Sequence, residues 1–483
     1  MQPLQEPVWR KGPDAQYTRP LLGSELLLHQ AHVHGDGMYQ VCMGLTLKTS
    51  LGADSLIRRF RQALVYLRFV APLVGATISD DEQTLWIYQP ASSSKEVETW
   101  ARNVFQVIND RLSPADFIQQ STERRLPYIS DGDRASQQQC RFFLLTNPEY
   151  AFFVHGTHAI FDAHPTFNMF HILLEEIVRL RDVEPYAELP WGREGDNLPP
   201  GPATASGCSP VESSQMETLL RMVQTQLDGI VGPTMTFVPS QASYVKVHRI
   251  DAVVPPDETG RILSILKSHG YTVTHLVQAA SVVAIYLHNK DLHGNHDQNS
   301  ISLPGNPISL LKYNVAPYNR RSHITSSMAM VPIKVPVELI SANDKDVVRS
   351  LIPVMEHIKS MYANYTFDPN LPCLHDVLRS NSRSDNSETL TQGPNVGITN
   401  IGNVDQMLPQ AWYTEGAPTD HAPLIEVDDM LFGHRVGHYP GVIAHAWTMK
   451  KRIHYKVQAN GSWDEGSLRN FVNRVVNLTT SFE

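Results

Sequence analysis

The chain of 483 residues has little cysteine, a modest charge content and no long apolar run. Its four cysteines are widely spaced and include no Cys-x-x-Cys pair, a pattern typical of reduced thiols in a cytosolic protein. No stretch approaches the roughly 18 consecutive apolar residues that a membrane-spanning helix needs, and the first residues hold no apolar core of signal-peptide length. The sequence therefore predicts a cytoplasmic protein without a membrane span.

Basic charge is also scarce. Lys and Arg total 40 against 49 Asp and Glu, so the net charge is −9 at pH 7. Because binding to nucleic-acid phosphates requires a basic surface, we expect no nucleic-acid partner. The hydrophobic fraction of 42% is ordinary for a globular protein, and the length allows two or three domains.

The composition divides the chain near its middle. Residues 186–215 are dense in proline, glycine and serine, which predicts an irregular crossover at the surface. Helical and strand patterns alternate on both sides of it, which is typical of an α/β fold with mixed sheets. We expect an N-terminal lobe over 1–190, a crossover linker and helix over 191–240, and a C-terminal lobe over 241–483.

The spacing of apolar residues predicts the individual elements. Helices are expected over 53–69, 94–112, 255–270, 272–286 and 467–478, and one that has Pro165 in its first turn. Strands are expected over 31–48 (with a turn at Gly35–Gly37), 84–89, 140–145, 150–155, 326–335, 395–400, 441–448 and 453–459. The stretches 291–305 and 379–395 have loop composition.

The stretch 151–165 carries the strongest chemical signal. An apolar strand runs into a loop with His158 and Asp162 in an H-x-x-x-D arrangement, and a helix follows. A neutral imidazole is the usual general base near pH 7, and a base on a short turn after a buried strand is held inside the protein. A plain helical ion pair between the two residues is the alternative.

Two groups of histidines raise the further alternative of a metal site. One is His155 with His158 and Asp162, and the other is His434 with His438. No further ligand stands at a convincing spacing for either group, so we expect no metal.

The motif resembles the signature of the H-x-x-x-D acyltransferases. These include plant-type alcohol acyltransferases, nonribosomal condensation domains and fungal terpenoid O-acetyltransferases. The segments 270–280, 319–322, 396–402 and 446–455 match the superfamily in the same order, and the chain is most similar to the fungal trichothecene-type O-acetyltransferases. The resemblance implies two chloramphenicol-acetyltransferase-like lobes with an active-site tunnel between them.

The resemblance also implies direct acyl transfer from acetyl-CoA, or another acyl-CoA, to a hydroxyl of a small molecule such as a trichothecene. His158 would take the hydroxyl proton while the oxygen attacks the thioester. Asp162 would pair with Arg320 or Arg321 and brace the loop. Thr399 would hydrogen-bond the oxyanion, although an ordinary β-branched strand residue explains it as well. We expect a monomer that uses acyl-CoA as a co-substrate and keeps no cofactor bound.

The chain departs from the superfamily pattern at three places. The doubled His of condensation domains is Thr157–His158 here, which weakens the resemblance to those domains and leaves the expected base intact. Ala163 replaces the glycine that usually closes the motif, and the D-F-G-W-G block of plant members is at best Leu431–Arg435, with Leu in place of Asp. Asp428 or Asp429 is then a candidate for the missing carboxylate. The candidate cations for coenzyme A are Lys312, Lys450, Lys451 and Arg452.

Two other functions remain open. A condensation-type enzyme or N-acyltransferase would take its acyl group from a carrier-protein thioester, and a catalytically silent protein would only bind a small molecule. The intact His158 argues against silence, and no basic helix offers a docking surface for an acidic carrier protein. Neither Ser nor Cys stands beside His158, so we expect a sequential reaction without an acyl-enzyme.

Overall fold

The computed structural model describes residues 6–79, 84–126, 138–179, 186, 188–208, 234–294, 299–341, 346–366, 369–373, 396–414 and 422–483, with isolated positions between 209 and 233. The strands are β1 (Arg10–Lys11), β2 (Tyr17–Pro20), β3 (Val41–Thr49), β4 (Thr77–Ile78), β5 (Leu85–Tyr88), β6 (Phe105–Ile108), β7 (Cys140–Leu145), β8 (Tyr150–Gly156), β9 (Val247–Val254), β10 (Ser300–Ser309), β11 (Met328–Pro336), β12 (Val396–Asn403), β13 (Ala411–Trp412), β14 (Ile425–His434), β15 (Val442–Met449) and β16 (Arg452–Asn460). The α-helices are α1 (Gly23–His34), α2 (Ala53–Val70), α3 (Ser94–Val104), α4 (Pro114–Thr122), α5 (Ala163–Arg179), α6 (Pro202–Ser206), α7 (Pro256–Ser268), α8 (Val273–His293), α9 (Leu351–Thr366), α10 (Val404–Met407) and α11 (Glu465–Thr480).

Two mixed sheets organise the molecule. The larger has six strands in the order β13-β14-β3-β8-β7-β6, of which only β6 and β7 pair in parallel. The other has four strands in the order β12-β15-β16-β9, with β12 and β15 in parallel. Two antiparallel sheets, β1-β2-β5-β4 and β10-β11, complete the described strands. The predicted α/β class with mixed sheets is confirmed.

Each large sheet has its own hydrophobic core. In the N-terminal half, α2 and α5 pack together, and the stacked rings of Phe60 and Phe152, with centroids 4.2 Å apart, join α2 to the six-stranded sheet. In the C-terminal half, α8 packs against α9 and α11, and most of its buried residues are apolar. Two separate cores explain the two-lobe architecture, because each sheet buries its apolar face under its own helices.

Strand β14 joins the two halves. It pairs antiparallel with β3, with Ile425 opposite Thr49 and His434 opposite Val41. A register shift between Val427 and Asp429 divides this strand, and its residues from Met430 onward are all buried. Strand β14, from the last part of the chain, therefore completes the six-stranded sheet that the first part of the chain forms. The predicted boundaries at 190 and 240 stay predictions.

Most predicted elements agree with the structure, and three differ. Residues 31–34 end helix α1 instead of starting a strand, and the predicted helix over 94–112 stops at Val104, where β6 begins. The loop-like stretch 291–305 contains the end of α8 and the start of β10. The stretch 379–395 lies outside the described residues.

Among the described residues, no single helix has the length and apolar composition to cross a membrane. Helices α7 and α8 satisfy these criteria only as a pair, bent by 102°.

Candidate active site

The loop after β8 presents His158 through a tight turn. The backbone N–H groups of Ile160 and Phe161 each donate to the Thr157 carbonyl over 3.2 Å. Gly156 makes the turn possible, because a Cβ at that position would lie 2.6 Å from the Phe161 ring. The turn buries the Phe161 side chain and leaves the His158 ring half-buried.

Backbone groups hold the Asp162 carboxylate. Its Oδ2 accepts a hydrogen bond from the Ser327 N–H over 2.8 Å. Burial raises the pKa of Asp162 to about 7, and the backbone N–H groups of Ser327 and His164 act in the opposite direction. The Asp162 carbonyl accepts from the Thr166 hydroxyl over 2.6 Å, which closes the first turn of α5. Asp162 therefore serves as a cap for α5 and as an anchor to the other half of the chain.

The expected pairing of Asp162 with Arg320 or Arg321 is wrong. Both arginines are exposed, and within the described ranges Asp162 makes no ion pair. The charge of Arg321 acts instead on His171, whose pKa burial and this guanidinium lower. The physical reason is that the Ser327 backbone reaches the loop, and its N–H satisfies the carboxylate without a second buried charge.

Residues Thr325–Ser327, which we call the bracing segment, contact the loop that carries His158 from the C-terminal half. The Ser326 N–H donates to the Ala159 carbonyl over 3.3 Å. The Thr325 hydroxyl donates to Glu25 Oε1 over 2.8 Å. Glu25 is itself buried in an ion pair with Arg19. The bracing segment is therefore attached to the N-terminal half at two places, the loop and helix α1.

A cavity of about 390 Å³ opens beside His158. Its wall includes all three residues singled out in the sequence, His158, Asp162 and Thr399. Thr399 lies on β12 directly across from His445 of β15. The next residue, Asn400, donates to the Thr274 hydroxyl over 2.8 Å and ties β12 to the start of α8. The structure therefore brings the candidate residues together, and their chemical roles stay predictions.

The cavity wall also holds two histidines whose role the sequence did not reveal. The ring centroids of His158 and His434 are 5.1 Å apart with an interplanar angle of 35°. His434 and His445 are stacked at 4.9 Å and 6°. We call these three rings the imidazole column. Because they come from the loop after β8, from β14 and from β15, no local spacing in the sequence signals their contact.

Burial keeps all three rings neutral at pH 7. It lowers the pKa of His158 to about 4, against the opposing effect of the backbone at His158 and Phe161. The pKa of His445 falls to about 3 through burial and the positive charge of Lys456. Burial and the neighbouring His445 bring the pKa of His434 well below its usual range. A neutral imidazole at the cavity is the protonation state that a general base requires.

The two histidine groups considered as metal ligands are not assembled. His438 packs on the Tyr244 ring at 4.3 Å, whereas His434 belongs to the imidazole column. Within the part of the chain that the structure describes, no group of three or more His, Cys, Asp or Glu residues has the geometry to hold a metal ion.

The candidate cations for coenzyme A lie outside the cavity wall. Lys450 and Lys451 form the turn between β15 and β16, and the Lys450 ammonium pairs with Asp428 at 3.2 Å. Lys312 lies over the Tyr313 ring at 4.8 Å. None of the four candidates, Arg452 included, lines the cavity.

The Leu431–Arg435 block uses a carboxylate that the sequence did not indicate. Asp428 is partly exposed and binds Lys48 at 2.7 Å, and Asp429 is exposed. The buried Arg435 guanidinium instead pairs with Asp36 at 2.5 Å. This ion pair joins the end of β14 to the turn after α1.

Comparisons with known proteins agree with this architecture. No protein-family model matches the chain. The chain is 28% identical to an acyl-CoA-dependent acyltransferase, MAC2 of Pseudozyma antarctica (strain T-34), over 140 residues that cover 27% of this chain and 24% of that protein. It is 22% identical to the trichothecene 15-O-acetyltransferase TRI3 of Fusarium sporotrichioides over 395 residues, which are 74% of each chain.

Solved structures extend the likeness to the whole chain. The TRI3 structure superimposes with a TM-score of 0.85 at 18% identity and covers 100% of this chain and 98% of that one. The condensation domain of the monacolin K polyketide synthase MokA gives a TM-score of 0.61 at 14% identity and covers 99% and 98%. The chain thus has the two-lobe fold of these proteins, and the resemblance stated from the sequence is confirmed at that level.

Proposed function

We propose that this protein is an O-acyltransferase that transfers an acyl group, in the first instance acetyl, from acyl-CoA to a hydroxyl of a small molecule. The observation that carries the proposal is a neutral His158 at the wall of the cavity, with Thr399 on the same wall. Similarity to acyltransferases in sequence and fold supports the same activity. The proposed acceptor is an oxygenated sesquiterpenoid of the trichothecene type, and the proposed state is a cytoplasmic monomer.

The proposed reaction needs one base and no covalent intermediate. A ring nitrogen of His158 takes the proton of the acceptor hydroxyl while its oxygen attacks the thioester carbonyl. The carbon–sulfur bond then breaks, and the coenzyme A thiolate takes the proton back from the His158 imidazolium. A positioned base of this kind contributes about 10²–10⁴-fold to the rate. None of the four cysteines lines the cavity, which supports direct transfer.

Thr399 and Asp162 have different proposed tasks. The Thr399 hydroxyl donates to the oxygen of the tetrahedral intermediate, where charge develops during the reaction. Asp162 acts on the loop and not on the substrate, because its carboxylate is occupied by the Ser327 N–H and caps α5.

Replacing His158 by Ala tests the assignment of the base. We expect the folded variant to lose about 10²–10⁴-fold in kcat with acetyl-CoA and a trichothecene that carries a free hydroxyl. Thiol release is the measurement, and an unchanged melting temperature is the control for folding. A folded variant with nearly full activity would refute the role of His158.

A second candidate is transfer from a carrier-protein thioester, which the likeness to the MokA condensation domain favours. Initial rates with acetyl-CoA and acceptor both varied separate the two. We expect intersecting double-reciprocal lines and one coenzyme A released for each ester formed. Parallel lines would indicate an acyl-enzyme, and activity only with a carrier-bound donor would establish the second candidate.

A further inference from the structure

His434 is the member of the imidazole column whose ring contacts both of the others, and it also lines the cavity. The His158 ring lies tilted against the His434 ring, with centroids 5.1 Å apart and an angle of 35°, and the His445 ring is stacked on His434 at 4.9 Å and 6°. The Phe432 and Tyr39 rings meet it nearly at right angles, with interplanar angles of 87° and 86°. Only 4% of His434 is exposed, so its ring excludes water from the side of His158 that it covers.

The backbone fixes His434 independently of its ring. Its N–H donates to Gln458 Oε1 over 2.8 Å, and its carbonyl accepts from Gln458 Nε2 over 3.2 Å. The ring nitrogen Nδ1 has no hydrogen-bond partner, and the same is true of the Nδ1 atoms of His158 and His445. Ring packing therefore helps to orient His434 and His445, while the backbone at His158 and Phe161 also acts on the His158 ring.

The charges around His434 favour its neutral form. The titratable groups that face it are His158 from the loop, His445 from β15, Lys456 from β16 and the hydroxyl of Tyr39. Lys456 is buried, donates to the Phe432 carbonyl over 2.6 Å and pairs with Asp251 at 3.1 Å.

The next residue, Arg435, is directed to Asp36. The cations nearby are thus held in place, and an added proton on His434 would be repelled by Lys456 and by a protonated His158.

We propose that His434 is a positioning residue for His158. The His434 ring packs against the general base, holds it in one orientation and keeps water from the side of His158 that it covers. His434 neither gives nor takes a proton in the reaction and makes no contact with the reacting atoms. Only the expected effect of His434 on the reaction rate rests on the proposed function. Its effect on the His158 ring is a property of the protein without substrate.

Titration of the histidines by NMR tests the proposal directly. In the full chain labelled at the histidine rings, His158→Ala identifies the signal of His158. In His434→Ala we expect water to enter and the pKa of His158 to rise toward its ordinary value of about 6.5. In His434→Phe a ring still covers His158, and we expect its pKa to stay low. His445→Ala, one ring farther away and equally buried, is the matched control with a smaller effect.

Kinetics supply the second measurement. We expect His434→Ala to lower kcat roughly tenfold or more and to move the acid limb of kcat/KM to higher pH, with KM for acetyl-CoA little changed. His434→Phe should retain most of kcat and the original acid limb. Thermal melting establishes that each variant is folded, and the Phe variant keeps the comparison available if the Ala variant is unstable.

Three results would overturn the proposal. They are an unchanged His158 titration and rate in His434→Ala, a loss in His434→Phe as large as in His434→Ala, or an effect of His445→Ala equal to that of His434→Ala. Failure of the proposed function is a separate result, because it would appear as no acyl transfer by the parent protein while the substrate-free titration still decides the role of His434.

Discussion

The two sides of His158 are built differently. On one side, hydrogen bonds join the loop that carries His158 to the bracing segment Thr325–Ser327, and Asp162 accepts from two backbone N–H groups. On the other side, the His434 ring packs against His158 and the His445 ring stacks on His434, and the Nδ1 atoms of His434 and His445 have no hydrogen-bond partner. The hydrogen bonds of the first side are made entirely within the protein, whereas the rings of the second side line the cavity.

This difference separates two requirements of the site. A loop that must not move is best held by many short hydrogen bonds, which are directional and costly to leave unmade. A wall that meets a ligand benefits from groups that accept its polar atoms without carrying charge. Neutral imidazoles satisfy this requirement because burial suppresses their protonation.

The largest expected effect concerns the charge of Asp162. Its folded pKa of about 7 lies above the ordinary value of 3.8, so the folded state binds the proton more tightly than the unfolded state. Asp162 therefore contributes most stability below pH 4 and loses it as the pH rises toward 7. Asp162→Asn removes this dependence of stability on pH. Between pH 4 and pH 8, we expect the free energy of unfolding of the variant to rise by up to about 4 kcal/mol relative to that of the parent protein.

Denaturant unfolding of the parent and Asp162→Asn at several pH values checks this expectation. Comparing the two proteins cancels the buried histidines, which act with the opposite sign because their folded pKa values are lowered. A difference in stability that does not change with pH would show that Asp162 is already ionised in the folded protein near pH 4.

The next effect belongs to the cavity side. If the Thr399 hydroxyl donates to the oxyanion, Thr399→Val should lower kcat by about 10²-fold, or about 3 kcal/mol, with little change in KM. Val keeps the branched shape that suits β12, and Thr399→Ser keeps the hydroxyl and is the matched control. Equal rates for the Val and Ser variants would leave Thr399 with a packing role.

The third effect isolates the hydrogen bonds on the loop side. Asp162→Ala leaves the N–H groups of Ser327 and His164 without their acceptor, whereas the Asn side chain of Asp162→Asn keeps one acceptor oxygen. We expect the Ala variant to be less stable than the Asn variant by about 1–3 kcal/mol. Both lack the charge, so unfolding at one pH gives the difference. Equal stabilities would mean that Asp162 does not anchor the loop through these bonds.

The smallest effect is expected at a surface ion pair far from both sides. The Lys450 ammonium is partly exposed and shares Asp428 with Lys48. Lys450→Ala should change stability by less than about 1 kcal/mol. It should also leave KM for acetyl-CoA unchanged, because Lys450 does not line the cavity. A large increase in KM would instead place coenzyme A at the turn between β15 and β16.

The sequence predicts those features of the fold that depend on residues close together in the chain. The apolar spacing of α2 and the strand, loop and helix around His158 are local patterns, and the structure contains them within a few residues of the predicted bounds. The grouping of His158, Asp162 and Thr399 at one cavity was available only through the resemblance to the acyltransferase superfamily.

Contacts between distant strands account for what the sequence analysis missed. Pairing of β14 with β3 joins residues almost 400 positions apart, and its register shift interrupts the alternation of buried and exposed residues. The imidazole column depends on this pairing, since β14 carries His434 to the loop. The choice of Ser327 over an arginine as the partner of Asp162 is likewise decided by which backbone reaches the loop.

The most direct test of His158 as the base is a crystal structure of the protein with coenzyme A and a trichothecene that carries a free hydroxyl. We predict that the hydroxyl oxygen lies about 2.6–3.2 Å from a ring nitrogen of His158, with the thiol of coenzyme A in the same cavity. A complex in which both ligands fill the cavity but no acceptor oxygen comes within reach of His158, directly or through one water, would contradict the proposed mechanism.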